Sequence, residues 1–462
     1  METEIEELIQ SLKDKNIRYV KVAITDIDGV LRGKYMQVGK FLKSLKSGFG
    51  FCDVIFGWDS SDELYDLNIP ENKLFTGWHT GYPDQEVRIV LDSERKIPFE
   101  PNTPLFLSEL KEGKVCPRSA LKRVLKLLEE IGFKGKSALE YEFFLFNETP
   151  KTIREKNYKN LNNFTPGMFG YSLLRSSVNS NLYHEILDMC SEMNFPLEGL
   201  HTETGPGVLE AAIAVDETLK SADKAILFKT FMKVLAQKND LMATFMAKWS
   251  HKYPGQSGHV HCSLVDLENK PVFSNRETGE MSEIMKNFLG GLEKYGKEFI
   301  SLIGPTTNSY KRMCAGAWAP INITWGKENR TTAYRVIEGS PDSQRIENRL
   351  PGADANPYLA LAATFGAGYL GIKEGLQPSE PVRGEAYSMK SNKHKRVPET
   401  LIQSAKLFNS SEAARSIWGD LFVDHYSSSR IWEHEQSQKN KPFFENKEEI
   451  SIWELKRYFE II

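Results

Sequence analysis

Residues 137–146 read Ser-Ala-Leu-Glu-Tyr-Glu-Phe-Phe-Leu-Phe, and this alternation constrains the fold more than any other stretch of the chain. A strand's side-chain period of two puts Glu140 and Glu142 on one face and Leu139, Tyr141, Phe143 and Leu145 on the other. Neighbouring same-face residues lie about 6–7 Å apart, so both carboxylates can line one cleft. Three further segments use the same device. In 258–264, His259, His261 and Ser263 share a face against Val260, Cys262 and Leu264. In 344–350, Arg345, Glu347 and Arg349 oppose Ile346, Asn348 and Leu350. In 207–215, Glu210 emerges from an apolar strand just after Gly205-Pro206-Gly207, with Glu203 just before that turn.

Taken singly, each of these strands reads as a solvent-facing sheet edge. Taken together, Glu140, Glu142, Glu203, Glu210, Glu347 and His259 describe a pocket that needs cations, because buried carboxylates are costly unless paired or metal-bound. Oxygen-rich ligation with one imidazole suits Mg²⁺ or Mn²⁺ rather than structural zinc. Arg312, Arg330, Arg335, Arg345 and Arg349 then read as phosphate and carboxylate clamps. Divalent cations with an arginine fan are the equipment of phosphoryl transfer.

The remaining properties bound this reading. A chain of 462 residues has room for two or three domains, and 40% hydrophobic with 26% charged residues is a globular balance. A formal net charge of −3 carries no nucleic-acid footprint. No apolar run reaches membrane-spanning length. The acidic start, Met1 to Glu7, lacks a signal-peptide core, and the five scattered cysteines include no Cys-x-x-Cys pair, so the expected compartment is the reducing cytoplasm. A short helix is expected over 4–13, a hairpin with strands 20–25 and 30–36 around Asp28-Gly29, and helices over 282–303 and 355–374. Four prolines between 98 and 117 mark a domain junction.

Two other motifs compete. Asp26-Ile27-Asp28-Gly29-Val30-Leu31 after a strand resembles the nucleophile loop of haloacid-dehalogenase-type phosphatases, and Gly419-Asp420-Leu421-Phe422-Val423-Asp424 fits their acidic motif. The second lies nearly 400 residues from the first and follows a helical segment where a strand is required. Gly366-Ala367-Gly368-Tyr369-Leu370-Gly371 fits a dinucleotide fingerprint but follows helix formers, so close helix packing explains it better.

The motifs Glu-Tyr-Glu-Phe-Phe-Leu-Phe, His-Thr-Glu-Thr-Gly-Pro-Gly-Val-Leu-Glu, Gly-Gln-Ser-Gly-His-Val-His-Cys-Ser-Leu, Asn-Ser-Tyr-Lys-Arg, Asn-Arg-Thr-Thr-Ala-Tyr-Arg and Arg-Ile-Glu-Asn-Arg-Leu-Pro-Gly-Ala-Asp-Ala-Asn-Pro occur in this order. Together they resemble the glutamine synthetase family over nearly the whole chain. The resemblance implies an α+β protein with an N-terminal β-grasp domain, residues 1–110, and a catalytic domain with a curved antiparallel sheet and surrounding helices, residues 111–462. It implies a homo-dodecamer of two hexameric rings with active sites between subunits. By the same resemblance Glu142, Glu203 and Glu210 hold one metal and Glu140, His259 and Glu347 a second, with two or three Mg²⁺ or Mn²⁺ ions per site. His261, Arg335 and Arg345 match nucleotide contacts. Arg312, Arg349 and Gly255 match the L-glutamate site, and Arg330 matches the group that steadies the transferring phosphoryl. Glu203 and Asp59 are the candidates for deprotonating the amine. A loop cap is the competing reading of Asp59.

The chain departs from ammonia-using members of that family where Asn-Ser-Tyr-Lys-Arg continues as Met-Cys-Ala-Gly-Ala-Trp-Ala-Pro. Trp318 stands where those members carry a glutamate, and an indole offers a π face or an apolar wall but no charge. Val208, Pro254 and Thr202 replace a usual Gln, Asn and second His. Relatives that ligate larger amines, such as γ-glutamylpolyamine synthetases, carry replacements similar to that of the glutamate by Trp318. The expected activity is therefore ATP-dependent ligation of an amine larger than ammonia to the γ-carboxylate of glutamate, with Trp318 and Asp59 at the amine pocket. The alternatives are glutamine synthetase proper, a non-catalytic scaffold of the same family, and the phosphatase.

Overall fold

The structure, a computed structural model, describes residues 2–65, 70, 73–388, 395–440 and 449–462. Among these, an N-terminal sheet is built from β1 (Tyr19–Thr25), β2 (Leu31–Gln37), β3 (Phe49–Cys52), β4 (Asp84–Ile89) and β5 (Leu105–Leu110), in the order β2-β1-β5-β4-β3. β1 and β5 run parallel and the other neighbours antiparallel.

The β1–β2 hairpin turns at Asp28-Gly29, where Gly29 takes φ +82°, a left-handed conformation that a Cβ disfavours. Its aspartates are engaged in structure. Asp26 Oδ1 accepts from the N–H groups of Asp28 (3.0 Å) and Val30 (2.9 Å), and Oδ2 from Arg32 Nε (2.8 Å). Asp28 pairs with the buried Arg430 at 2.6 Å. The side chain of Asn356 donates to the carbonyls of Asp26 and Ile27 at 3.1 and 3.3 Å, docking the hairpin on the rest of the molecule. Asp424 pairs with Lys73 (2.7 Å) and Arg415 (2.8 Å) inside the helix Asp420–Lys439. With these carboxylates committed to ion pairs, the two phosphatase-like motifs describe a turn and a helix.

The larger sheet comprises β6 (Phe133–Phe146), β7 (Leu197–Thr202), β8 (Val208–Ile213), β9 (Asp216–Glu217), β10 (Met242–Thr244), β11 (Gly258–Asp266), β12 (Trp325–Lys327), β13 (Tyr334–Ile337) and β14 (Arg345–Asn348). Its order is β12-β13-β14-β11-β6-β8-β7, with β9 and β10 paired to the two ends of β6, and it curls into a half-barrel. On its reverse face Tyr141 and Phe143 pack with Phe228 and Phe245, closing a core under the helix Thr218–Lys238. The alternation read from the sequence thus has one face in the core and the other free to carry charge.

The helix Pro357–Glu374 packs against Glu283–Tyr295 so closely that a Cβ at Gly371 would lie 2.1 Å from the Asn287 carbonyl oxygen. The dinucleotide-like glycines therefore serve helix contact. The helix expected over 282–303 divides into Glu283–Tyr295 and Ile300–Ile303. The Tyr334 hydroxyl donates to the Leu292 carbonyl at 2.9 Å, sharing that acceptor with the Gly296 N–H. All five cysteines are free. No helix among the described residues is long and apolar enough to cross a membrane.

Candidate active site

Antiparallel register converts the single-strand alternation into a two-dimensional array of polar side chains. Glu142 of β6 pairs with Glu210 of β8, and Glu210 in turn with His201 of β7. On the other side Glu140 pairs with His259 of β11. His261 pairs with Glu347 of β14, and Glu347 with Arg335 of β13. Directly opposed residues have Cβ atoms about 4.5–5.5 Å apart, so six strands deliver their chemistry to one surface.

Three groups in this array bring potential ligand atoms within 4.8 Å of one another: Glu140, His261 and Glu347; Glu140, Glu210 and His259; and His201, Glu203 and Glu210. His201 Nε2 lies 3.2 Å from Glu203 and 3.6 Å from Glu210. His259 Nδ1 lies 3.6 Å from Glu140 and 3.4 Å from Glu347, and His261 Nε2 lies 3.1 Å from Glu140.

The electrostatics show that these carboxylates need a counter-charge. Burial, and then the neighbouring Glu142 and Glu140, push Glu210 up to about 9. Burial raises Glu142 to about 7 even though its carboxylate accepts the Ser257 N–H at 2.8 Å. Burial also opposes ionisation of Glu347, but His259, Arg349 and His261 hold it down at about 2. Glu140 is held far below the usual carboxylate range by His259 and His261, against its own burial. Burial, and then Arg349, lower His259 to about 4, so its imidazole is neutral at pH 7. Its buried Nε2 has no hydrogen-bond partner among the described residues. A neutral imidazole with an orphaned nitrogen and a set of carboxylates that repel one another suit hard divalent cations.

The arginines frame the array. Arg335 binds Glu347 at 3.0 Å and also Glu328. Arg345 Nε donates to His261 Nδ1 at 3.1 Å, which fixes that ring's orientation. Arg349 pairs with Glu347 and donates through Nε to the Arg330 carbonyl at 3.1 Å. Arg312 is buried and donates to the carbonyls of Leu350 (2.9 Å) and Arg349 (3.1 Å) and to Ser257 Oγ (3.0 Å). Gly255 makes room for it: a Cβ there would lie 2.6 Å from Arg312 Cγ. The Arg330 side chain is exposed, and its charge reaches Tyr171.

Two other residues named from sequence lie differently. Trp318 is 56% exposed at φ +60°, on the turn that follows the short helix carrying Arg312. Asp59 is buried and does not join the array. Its Oδ1 accepts from the N–H groups of Ser61 (2.8 Å) and Glu63 (3.1 Å), and its Oδ2 from Trp432 Nε1 (2.9 Å) and Arg457 (2.7 Å). This is the loop-cap arrangement, extended to an anchor on the C-terminal helices.

His201 and Tyr171 belong to the site and were not singled out from sequence. His201 had a signal, since it stands two residues before Glu203. Tyr171 had none, because its loop has no periodicity. Its ring stacks on His201 with centroids 4.4 Å apart and planes 8° from parallel. Thr202 holds that loop: its carbonyl accepts the Tyr171 N–H at 2.7 Å and its hydroxyl the Ser172 N–H at 2.8 Å.

Comparison with known proteins is consistent across sequence and structure. A family model described as glutamine synthetase, catalytic domain, matches residues 114–458. The chain is 43% identical over 464 residues to type-1 glutamine synthetase 2 of Dictyostelium discoideum, covering 98% of this chain and 86% of that protein. It is 36% identical to glutamate–isopropylamine ligase of a Pseudomonas species, covering 98% and 97%. With γ-glutamylethanolamide synthetase of Streptomyces coelicolor the identity is 32%, covering 99% and 96%. A solved GmaS–ADP complex shares the fold with TM-score 0.79 at 24% identity, covering 97% of this chain and 98% of that one.

Proposed function

We propose that this chain, which belongs to the glutamine synthetase family, uses ATP to join an amine larger than ammonia to the γ-carboxylate of L-glutamate. The observation that carries this reading is the retained carboxylate–histidine array beside a loop that presents Trp318 in place of an acidic side chain. Relatives that are amine–glutamate ligases support it.

The residues present fit Mg²⁺ or Mn²⁺. Glu142, Glu203 and Glu210 would hold one ion and Glu140, His259 and Glu347 another, and such ions supply charge neutralisation for the ATP phosphates. The chain's own groups do the rest. Arg335, Arg345 and His261 orient the nucleotide, while Arg312, Arg349 and the space left by Gly255 seat the glutamate carboxylates. A γ-carboxylate oxygen then attacks the γ-phosphorus, releasing ADP and leaving γ-glutamyl phosphate. Arg330, exposed at the cleft, stabilises the charge on the transferring group. His201 and the Thr204 N–H keep Glu203 below the usual carboxylate range despite its burial, so it is ionised and can take a proton from the ammonium form of the amine. The free amine attacks the acyl carbon, and phosphate departs with the C–O bond. Tyr171 and Trp318 offer π faces to the carbon framework of the amine.

The working form in this proposal is a cytoplasmic homo-dodecamer of two hexameric rings. Its domains are residues 1–110 and 111–462, and each N-terminal domain closes a neighbour's site. Leu173, Leu174 and Val178, at 82%, 71% and 75% exposure beside Tyr171, support a covered surface there.

The test is phosphate release from ATP and glutamate across a panel of amines that includes ammonia. A larger amine should give the highest kcat/KM. Preference for ammonia would transfer the chain to the second reading, glutamine synthetase, which the Dictyostelium relative favours. No turnover with any amine would favour a scaffold.

A further inference from the structure

Two side chains 66 positions apart in the chain meet beside the turn that leads to Trp318: Lys248 Nζ donates to Cys314 Sγ at 3.5 Å. We propose that this pair is an oxidative modification site, at which hydrogen peroxide joins the lysine and the cysteine through a covalent nitrogen–sulfur bond.

The fold builds the contact around one short helix, Ser309–Arg312. Asn308, just before that helix, grips the Lys248 backbone from both sides. Its Oδ1 accepts the Lys248 N–H at 2.7 Å, and its Nδ2 donates to the Lys248 carbonyl at 2.9 Å. Cys314, two residues past the helix, is held in a tight turn, where its N–H donates to the Arg312 carbonyl at 2.8 Å. The two partners are thus anchored at opposite ends of one helix. Lys248 is 3% exposed, so its long side chain has already lost its rotamer freedom in the folded chain.

The other four cysteines are placed differently. Cys116, Cys190 and Cys262 are buried, and burial pushes the thiols of Cys190 and Cys262 up, which makes them inert. Cys52 is half-buried, but its Sγ donates to the Tyr82 carbonyl at 3.4 Å. Among the described residues, Cys314 alone sets a half-buried sulfur within hydrogen-bond distance of a lysine nitrogen.

The chemistry has two steps. First, the Cys314 sulfur attacks one oxygen of hydrogen peroxide; the O–O bond breaks, water leaves, and the thiol becomes a sulfenic acid. The sulfur loses two electrons and the peroxide gains them. Second, Lys248 gives a proton to solvent and its amine nitrogen attacks that sulfur. The N–S bond forms, the S–O bond breaks, and the hydroxyl leaves as water with a second proton from the nitrogen. The 3.5 Å separation is already close to a near-attack distance. An amine held there reacts ahead of a thiol that must diffuse in from solvent. Excess thiol reverses the link by attacking the sulfur, which frees the lysine and regenerates the cysteine through a mixed disulfide.

Formation of the link does not depend on the reaction proposed above. Where that reaction runs, the bond would fix the turn between Arg312 and Trp318 and make turnover reversibly sensitive to peroxide.

The test is peptide mass mapping of the full chain after brief peroxide treatment, alkylation of the remaining thiols and denaturation without reductant. A product joining the peptides of Lys248 and Cys314 is expected, lighter than their sum by two hydrogen atoms, with tryptic cleavage after residue 248 lost. Dithiothreitol should restore both the cleavage and the free thiol. In Lys248→Met, which keeps the bulk of the side chain but not its amine, Cys314 should instead be trapped by dimedone as the sulfenic acid. In Cys314→Ala, at a half-buried position, peroxide should leave cleavage after Lys248 unchanged. Cys314 remaining a free thiol, or passing to the sulfonic acid while trypsin still cleaves after Lys248, would overturn the proposal. So would equal trapping of Cys314 by dimedone in Lys248→Met and the unaltered chain.

Discussion

Glu142 and Glu210 face one another across neighbouring antiparallel strands, and the Glu142 carboxylate raises the pKa of Glu210 beyond what burial does alone. Such a pair is destabilising unless a cation lies between its members. Glu210→Gln should therefore stabilise the metal-free chain, by on the order of 1 kcal/mol. The same variant should bind Mg²⁺ roughly 10- to 100-fold more weakly. Thermal melts with and without Mg²⁺ would show opposite signs for one substitution. Glu142→Ala should lose ATP turnover; full activity would remove Glu142 from the ligand set.

Asp59 separates a structural from a catalytic role cleanly. Its carboxylate and Arg457 are 2% and 3% exposed and 2.7 Å apart. Asp59→Ala should cost roughly 1–3 kcal/mol of stability, because Arg457 keeps its pairing with Glu433 while the Ser61 and Glu63 N–H groups and Trp432 Nε1 lose their acceptor. Urea denaturation measures this directly. An unchanged midpoint together with a raised KM for the amine would restore Asp59 to the amine pocket.

His425 gives the fold a defined acid sensitivity. Burial, and then Arg430, lower its pKa to about 3, and its Nδ1 accepts the Phe75 N–H at 3.2 Å. In an unfolded chain the value is about 6.5. The stability due to the neutral ring is complete above that value. It is lost as pH falls, because the unfolded chain takes up a proton that the native one refuses, at up to about 1.4 kcal/mol per pH unit. Tm measured below about pH 6.5 should fall less steeply in His425→Gln than in the unaltered chain. Parallel profiles would show that His425 is not the sensor.

Trp318 tests amine choice. Trp318→Glu should raise kcat/KM for ammonia and lower it for larger amines, each by on the order of tenfold. Competition between ammonia and a larger amine, read by mass of the product amide, checks both changes at once. An unchanged ratio would place amine selection elsewhere.

Much of the site was legible because strand alternation is local. Glu140 and Glu142, His259 and His261, and Arg345, Glu347 and Arg349 each stand two apart, so a single period places them on one face. The end of the helix Glu283–Tyr295 was not legible; there the fold brings Tyr334 of β13, 38 positions beyond Gly296, so close that a Cβ on Gly296 would lie 2.1 Å from its hydroxyl. Tyr171 stood outside any pattern, since its place depends on the Thr202 hydroxyl and carbonyl holding an irregular loop.

The sequence by itself determined which faces carry charge and that the hairpin would turn at Asp28-Gly29, since side-chain period and turn chemistry act over a few residues. Tertiary structure decided which charges meet. Only sheet order and register set Glu210 between Glu142 and His201. Only folding brings Trp432 to Asp59 across 373 residues of chain. Partners so distant are selected by burial and hydrogen-bond satisfaction in the assembled core, and neither leaves a local mark in the sequence.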